Sequence, residues 1–235
     1  MKKLIFTLCL LGVTYGLFAQ ENTGAAGAIM TKATQSKGIS RDFLMIQLSY
    51  DGWASTPTDV NTKGLSRGFN MYFMYDFPIK KTNLSVAAGL GVGSSNVFLR
   101  NQKIDMQNTS STVKFVATDE YKKYKVSTTY LDIPLELRYY SDKENANKGF
   151  KAALGVKVGT LLNAHTKGKN SLGGDRNIIK EQNKRYFNSW RYAGTARIGY
   201  GPVGLFGTYS FSKLFKDNSG LDITPYSVGI YLSGL

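Results

Sequence analysis

One cysteine and one histidine occur in 235 residues. Cys9 lies inside an N-terminal apolar segment expected to be removed on export. The mature chain then has no thiol with which to build a disulfide or a thiolate metal site. His165 stands alone. No spacing of His, Asp and Glu suits a metal, and no serine is singled out as a nucleophile beside it. Acidic residues are scarce too, 16 Asp and Glu against 30 Lys and Arg, for a net charge of +14. In a cytoplasmic chain that excess would point to nucleic acid. In an exported chain it points to anionic lipid head groups or an acidic partner instead. Long apolar runs are also missing. Beyond the N-terminal segment, none reaches the roughly 18 residues that argue for a spanning helix.

The N-terminal segment reads as a secretory signal peptide, residues 1–19. Lys2 and Lys3 supply the charged start, Leu4–Leu17 the apolar stretch, and Ala19 the small residue before cleavage. Residues 20–41 are small and polar and read as a flexible lead-in. The remainder, 42–235, is expected to form one domain.

That domain alternates with period two. In Tyr130-Leu131-Asp132-Ile133-Pro134-Leu135-Glu136-Leu137-Arg138-Tyr139-Tyr140, the aliphatic residues share one face and the charges share the other. The same alternation marks seven further candidate strands: Asp42–Trp53, Gly68–Ile79, Leu84–Leu99, Gly149–Asn163, Asn188–Tyr200, Val203–Phe215 and Ile223–Leu235. The intervening segments alternate long and short. The long ones are Ala54–Leu65, Arg100–Lys123, Thr166–Phe187 and Asp217–Asp222, and the short ones include Lys80–Asn83 and Gly201-Pro202. Strands of this length with this asymmetry predict an all-β fold, an eight-stranded antiparallel up-and-down transmembrane β-barrel of the outer-membrane type. The long connections would then lie outside the cell and both mature termini in the periplasm.

A soluble lipocalin-like barrel is the competing architecture. It would turn the aliphatic faces inward and present Gly89, Gly91, Gly93, Gly155 and Gly159 to water. Such small residues fit better inside a narrow barrel, where side chains just fill the lumen and Tyr72, Tyr130 and Tyr231 need room. Aromatic residues also gather near strand ends (Trp53, Phe77, Tyr139, Phe150, Trp190, Tyr200 and Phe215), as in two interfacial girdles.

The stretch at 130–140 resembles the Tyr-Leu-x-Ile-Pro-Leu strand of the PorT-like outer-membrane β-barrel family of Bacteroidota. Pro225-Tyr226-Ser227-Val228-Gly229-Ile230 resembles that family's last strand, and Phe18-Ala19-Gln20 resembles signal-peptide ends from the same bacteria. The resemblance covers residues 40–235 and implies an accessory role in protein secretion or envelope organisation. The chain departs from the usual aromatic ending of such barrels, closing with Leu232-Ser233-Gly234-Leu235.

Two sets of residues stand out chemically. The faces opposite the aliphatic ones carry Asp51, Asp76, Asp132 and Glu136 against Arg138, Lys157, Arg191 and Arg197. Unpaired charge is costly in a narrow interior, so a network closing the lumen is expected. Folding about the turn at Asp142–Lys148 puts Lys157 opposite Pro134, and the expected partner of Lys157 is Glu136 or Asp132. The second set is basic: Lys167, Lys169, Arg176, Lys180, Lys184 and Arg185, in a segment expected to be a loop. It fits lipopolysaccharide phosphates or an acidic envelope or secretion protein. Gly89-x-Gly91-x-Gly93 lies within a strand and has no helix after it, so it is not a phosphate loop. The reading is a non-catalytic membrane barrel with no cofactor, no metal and no nucleic-acid partner. A lipid-modifying enzyme and a small-solute pore are the alternatives.

Overall fold

The computed structural model describes residues 43–105, 112–142, 145, 147–172, 175–217 and 221–234, with backbone alone for 171–176. The expected signal peptide and lead-in lie outside these residues. Among the described residues eleven strands are formed: β1 (Leu44–Ala54), β2 (Arg67–Pro78), β3 (Leu84–Leu99), β4 (Gln102–Ile104), β5 (Phe115–Ala117), β6 (Lys123–Tyr140), β7 (Phe150–Leu172), β8 (Asp175–Gln182), β9 (Trp190–Tyr200), β10 (Val203–Ser210) and β11 (Thr224–Ser233).

Eight of them close a barrel in the order β1-β2-β3-β6-β7-β9-β10-β11, and β11 pairs back onto β1. Every pairing is antiparallel. The apolar faces point outward. On β2, Phe69, Met71, Phe73, Tyr75 and Phe77 are exposed while Asn70, Tyr72, Met74 and Asp76 are buried. On β6, Ile133, Leu135, Leu137 and Tyr139 are exposed while Asp132, Glu136 and Arg138 are buried. Such a surface is stable only against lipid, since a sheet facing water carries its polar residues outside.

One end of the barrel is tight. Tyr200 pairs with Val203 across Gly201-Pro202, and Gly201 holds φ at 60°, the positive value that a two-residue hairpin turn needs at its first central position. At the other end, β6 and β7 run on past the barrel wall. Their pairing register shifts between Thr129 and Tyr130, where Leu162 is the extra residue on β7. This bulge flips the facing of β7. Before it, Lys151, Ala153, Lys157 and Gly159 are inward. After it, Ala164 and Thr166 are inward, and His165, Lys167 and Lys169 turn outward.

Several expectations need correction here. Thr166–Phe187 is not a loop: β7 continues to Leu172 and returns as β8, which pairs with β7 where β9 leaves off. Arg100–Lys123 contains the small β4–β5 hairpin. The seventh barrel strand ends at Ser210, not Phe215. Trp53 and Phe215 do not belong to a girdle. Both are buried in an apolar cluster with Val97, Leu99, Tyr124, Val126, Tyr186, Phe187, Leu214 and Ile223 that caps the loop end from inside. The bulge and the bridge between Phe187 and Phe215 make that cap, and period-two alternation carries no sign of either. Phe77, Tyr139, Phe150, Trp190 and Tyr200 are outward as expected.

Candidate functional site: the barrel lumen and the loop-end sheet

The lumen charges assemble in tiers. At the turn end, Arg138 Nη1 donates to Asp76 Oδ1 at 2.7 Å, and the Tyr140 hydroxyl donates to Asp76 Oδ2 at 2.8 Å. Arg138 Nε donates to Glu136 Oε2 at 2.9 Å. From across the barrel Arg197 grips the same carboxylate with two bonds, 3.2 Å from Nε and 2.6 Å from Nη2. The four charged side chains are at most 2% exposed. One carboxylate therefore holds two guanidiniums, and the geometry of a planar fork allows it.

The next tier is centred on Asp132, whose side chain is fully buried. Arg191 Nη2 reaches both of its oxygens, at 2.7 and 2.5 Å. The Tyr72 hydroxyl donates to Asp132 Oδ2 at 3.0 Å, and Lys157 Nζ donates to the Tyr72 oxygen at 3.3 Å. Lys157 does lie opposite Pro134. Its contact with Asp132, however, is indirect, and Glu136 belongs to the two arginines. The expected direct pair is thus replaced, because arginines already occupy both carboxylates, Arg191 on Asp132 and Arg197 with Arg138 on Glu136. Arg191 also covers the Tyr130 ring at 4.2 Å and Arg197 the Tyr231 ring at 4.7 Å. Asp51 accepts from Ser49 Oγ at 2.6 Å.

Glycines make room for this packing. Gly91 pairs with Tyr72, Gly93 with Tyr130 and Gly204 with Tyr231. A Cβ on Gly159 would overlap Asp132 Oδ1, and one on Gly155 would overlap the backbone of Leu135. Above the Asp132 tier lies a void of about 30 Å³, lined by Asp51, Asn70, Lys157 and Arg191 below and by Trp53 and Leu214 of the apolar cap above. It has room for one or two waters. The lumen is filled by side chains on both sides of it.

The basic residues are not one loop. Lys167 and Lys169 project from β7 and Lys180 from β8, all on the outer face of the extension. Lys184 and Arg185 are exposed in the connection to β9, and the side chain of Arg176 lies outside the described residues. Sequence reasoning missed Lys123 and Lys125, which lie on β6 opposite Lys169 and Lys167. It also missed Lys151, buried in the lumen and bonded to Ser233 Oγ at 3.2 Å. The alternation placing Lys157 inside would have found Lys151 six residues earlier. Among the described residues no cluster of His, Cys, Asp or Glu could hold a metal.

A closed antiparallel barrel with an apolar outer face and a filled polar lumen is the architecture of an outer-membrane protein. The sequence matches the outer membrane protein beta-barrel domain family over residues 18–216. The chain belongs to that family. No curated protein matches it. Among solved structures it is similar to Ail, the attachment invasion locus protein of Yersinia pestis, at 12% identity and a TM-score of 0.33. The match covers 81% of this chain and 95% of that one. As a member of the outer-membrane barrel family, the chain has two polar regions to account for: the lumen and the loop-end sheet. His165 lies in the second. It faces Ser127 on β6 and Gln182 on β8, and its Nδ1 is buried without a hydrogen-bond partner. Burial first, then the charges of Lys180, Lys125 and Lys167, hold its imidazole below the ordinary histidine range.

Proposed function

We propose that this protein is a sealed, non-catalytic barrel of the outer membrane that serves the cell envelope through its loop-end extension. The leader at 1–19 directs export, both mature termini lie in the periplasm, and the long connections and the β7–β8 hairpin stand outside. The observation that carries the reading is the filled lumen. Paired charges occupy the axis, and the apolar cluster around Phe187 and Phe215 sits over them. A barrel spent on such packing offers its partners an outer surface, not a passage. Resemblance to the PorT-like family supports an accessory role in secretion or envelope organisation.

Crosslinking in the native envelope, followed by identification of the attached proteins, tests the role. The reading expects envelope or secretion components joined through residues of the loop end. Altered lipid A or phospholipid chemistry in a deletion strain, restored by the wild-type protein, would instead establish a lipid-modifying enzyme.

A further inference from the structure

The outer face of the extension carries like charges in register. Lys125 on β6 pairs with Lys167 on β7, and Lys167 pairs with Lys180 on β8. Three ammonium-bearing residues thus cross three strands in one row, with neighbouring strands about 4.8 Å apart. One step further out, Lys123 pairs with Lys169. One step back toward the barrel lies His165. Like charges directly opposite one another destabilise a sheet.

Among the described residues, relief from within the chain is slight. Lys125 Nζ donates to Asn96 Oδ1 at 2.6 Å, a neutral partner. Glu181 pairs with Thr166 and belongs to the inner face. The charges that act on His165 are the three lysines of the row, from its own strand and from both flanking strands. Burial and the charge of Lys167 hold the Lys125 ammonium below its ordinary range. A fold that lines up cations in this way, above a lipid-facing wall, leaves a place for a multivalent anion.

Height decides which anion. On the same outer surface, Leu131, Thr160 and Trp190 lie in one row across β6, β7 and β9, where the tryptophan marks the membrane interface. The row begins at Lys125, six residues above Leu131 on β6, or about 20 Å along the strand. With the usual strand tilt that is about 15 Å above the interface. A simple phosphodiester at the hydrocarbon boundary sits too low. A phosphorylated sugar head group anchored in the same leaflet reaches the row. We infer that the outer face of the β6–β7–β8 sheet binds the phosphates of an outer-leaflet glycolipid, with Lys125, Lys167 and Lys180 as the binding row.

The inference rests on the proposed outward orientation of the loop end, so its test is run on purified protein, where orientation has no influence. His165 is the sole imidazole of the chain and reports the site without a label. The folded barrel in phosphatidylcholine nanodiscs is titrated by NMR in three arms: with lipopolysaccharide, with the same lipopolysaccharide enzymatically dephosphorylated, and with inorganic phosphate. Bound phosphate counters the lysine field, so the His165 pKa should rise with intact lipopolysaccharide and stay put in the other two arms. Lys167→Gln and Lys180→Gln should each weaken binding about fivefold, the effect of one cation near an anionic surface. Lys184→Gln with Arg185→Gln should leave it unchanged. Without lipopolysaccharide, both row variants should remain folded and melt no lower than wild type, because repulsion is relieved. An equal rise with dephosphorylated lipopolysaccharide, an equal rise with inorganic phosphate, or equal losses in the Lys184/Arg185 variant would overturn the assignment. Surface labelling of intact cells addresses orientation separately, so a failed orientation and a failed site give different patterns.

Discussion

Lys157 and Asp132 are joined through Tyr72. The lysine donates to the phenol oxygen at 3.3 Å and the phenol donates to the carboxylate at 3.0 Å. Asp132 keeps the double contact from Arg191 whether or not the lysine is there. Lys157→Met should therefore cost about 1.5–3 kcal/mol, the value of one hydrogen bond made by a charged group. Arg191→Met leaves the buried carboxylate without its charged partner and should cost about 3–5 kcal/mol. Denaturant unfolding in lipid vesicles measures both. Equal losses in the two variants would place Lys157 directly on the carboxylate.

Glu136 is the junction of the lower tier, holding Arg138 and Arg197 together. Glu136→Leu strands Arg197 and leaves Arg138 to Asp76, with an expected loss of about 3–5 kcal/mol. Adding Arg197→Met should recover part of it, since one stranded charge is removed. A double variant less stable by the full sum of the single losses would show that the two residues act independently.

Glycine positions separate lumen packing from lipid contact. Gly159→Val drives a side chain into Asp132 and should lower stability by about 1–3 kcal/mol through overpacking. Gly207→Ala points its new methyl into open space and should be within about 0.5 kcal/mol of wild type. Heat-dependent mobility on gels ranks the two.

Orientation is testable because the expected mature chain lacks cysteine. Lys80→Cys, at the exposed turn end, should resist an impermeant thiol reagent in intact cells, and Lys184→Cys at the loop end should react. The reverse pattern would invert the proposed topology.

The barrel was legible because inside and outside differ at every second residue. Strands such as Leu84–Leu99 could be bounded from alternation alone, and the turn at Asp142–Lys148 set Lys157 opposite Pro134. The extension was not legible for a physical reason. Leu161-Leu162-Asn163-Ala164-His165 changes phase at a bulge, and a bulge is defined by the partner strand, not by the sequence that contains it. With the phase lost, β8 reads as loop, and the row from Lys125 to Lys180 is scattered over 55 positions of chain. Trp53 and Phe215 misled through composition. An aromatic near a strand end serves a girdle or a cap equally well, and tertiary contact decides. Tyr72 was placed correctly inside, but its role as a relay depends on side-chain reach that register does not fix.

The central claim is that side chains close this barrel. Single-channel recording of the purified protein in planar bilayers tests it most directly. The account predicts no steady conductance, because among the described residues the Asp132 and Glu136 tiers and the apolar cap leave a void of about 30 Å³ between them. A sustained, ohmic current at the single-molecule level, present in every preparation of folded protein, would contradict it.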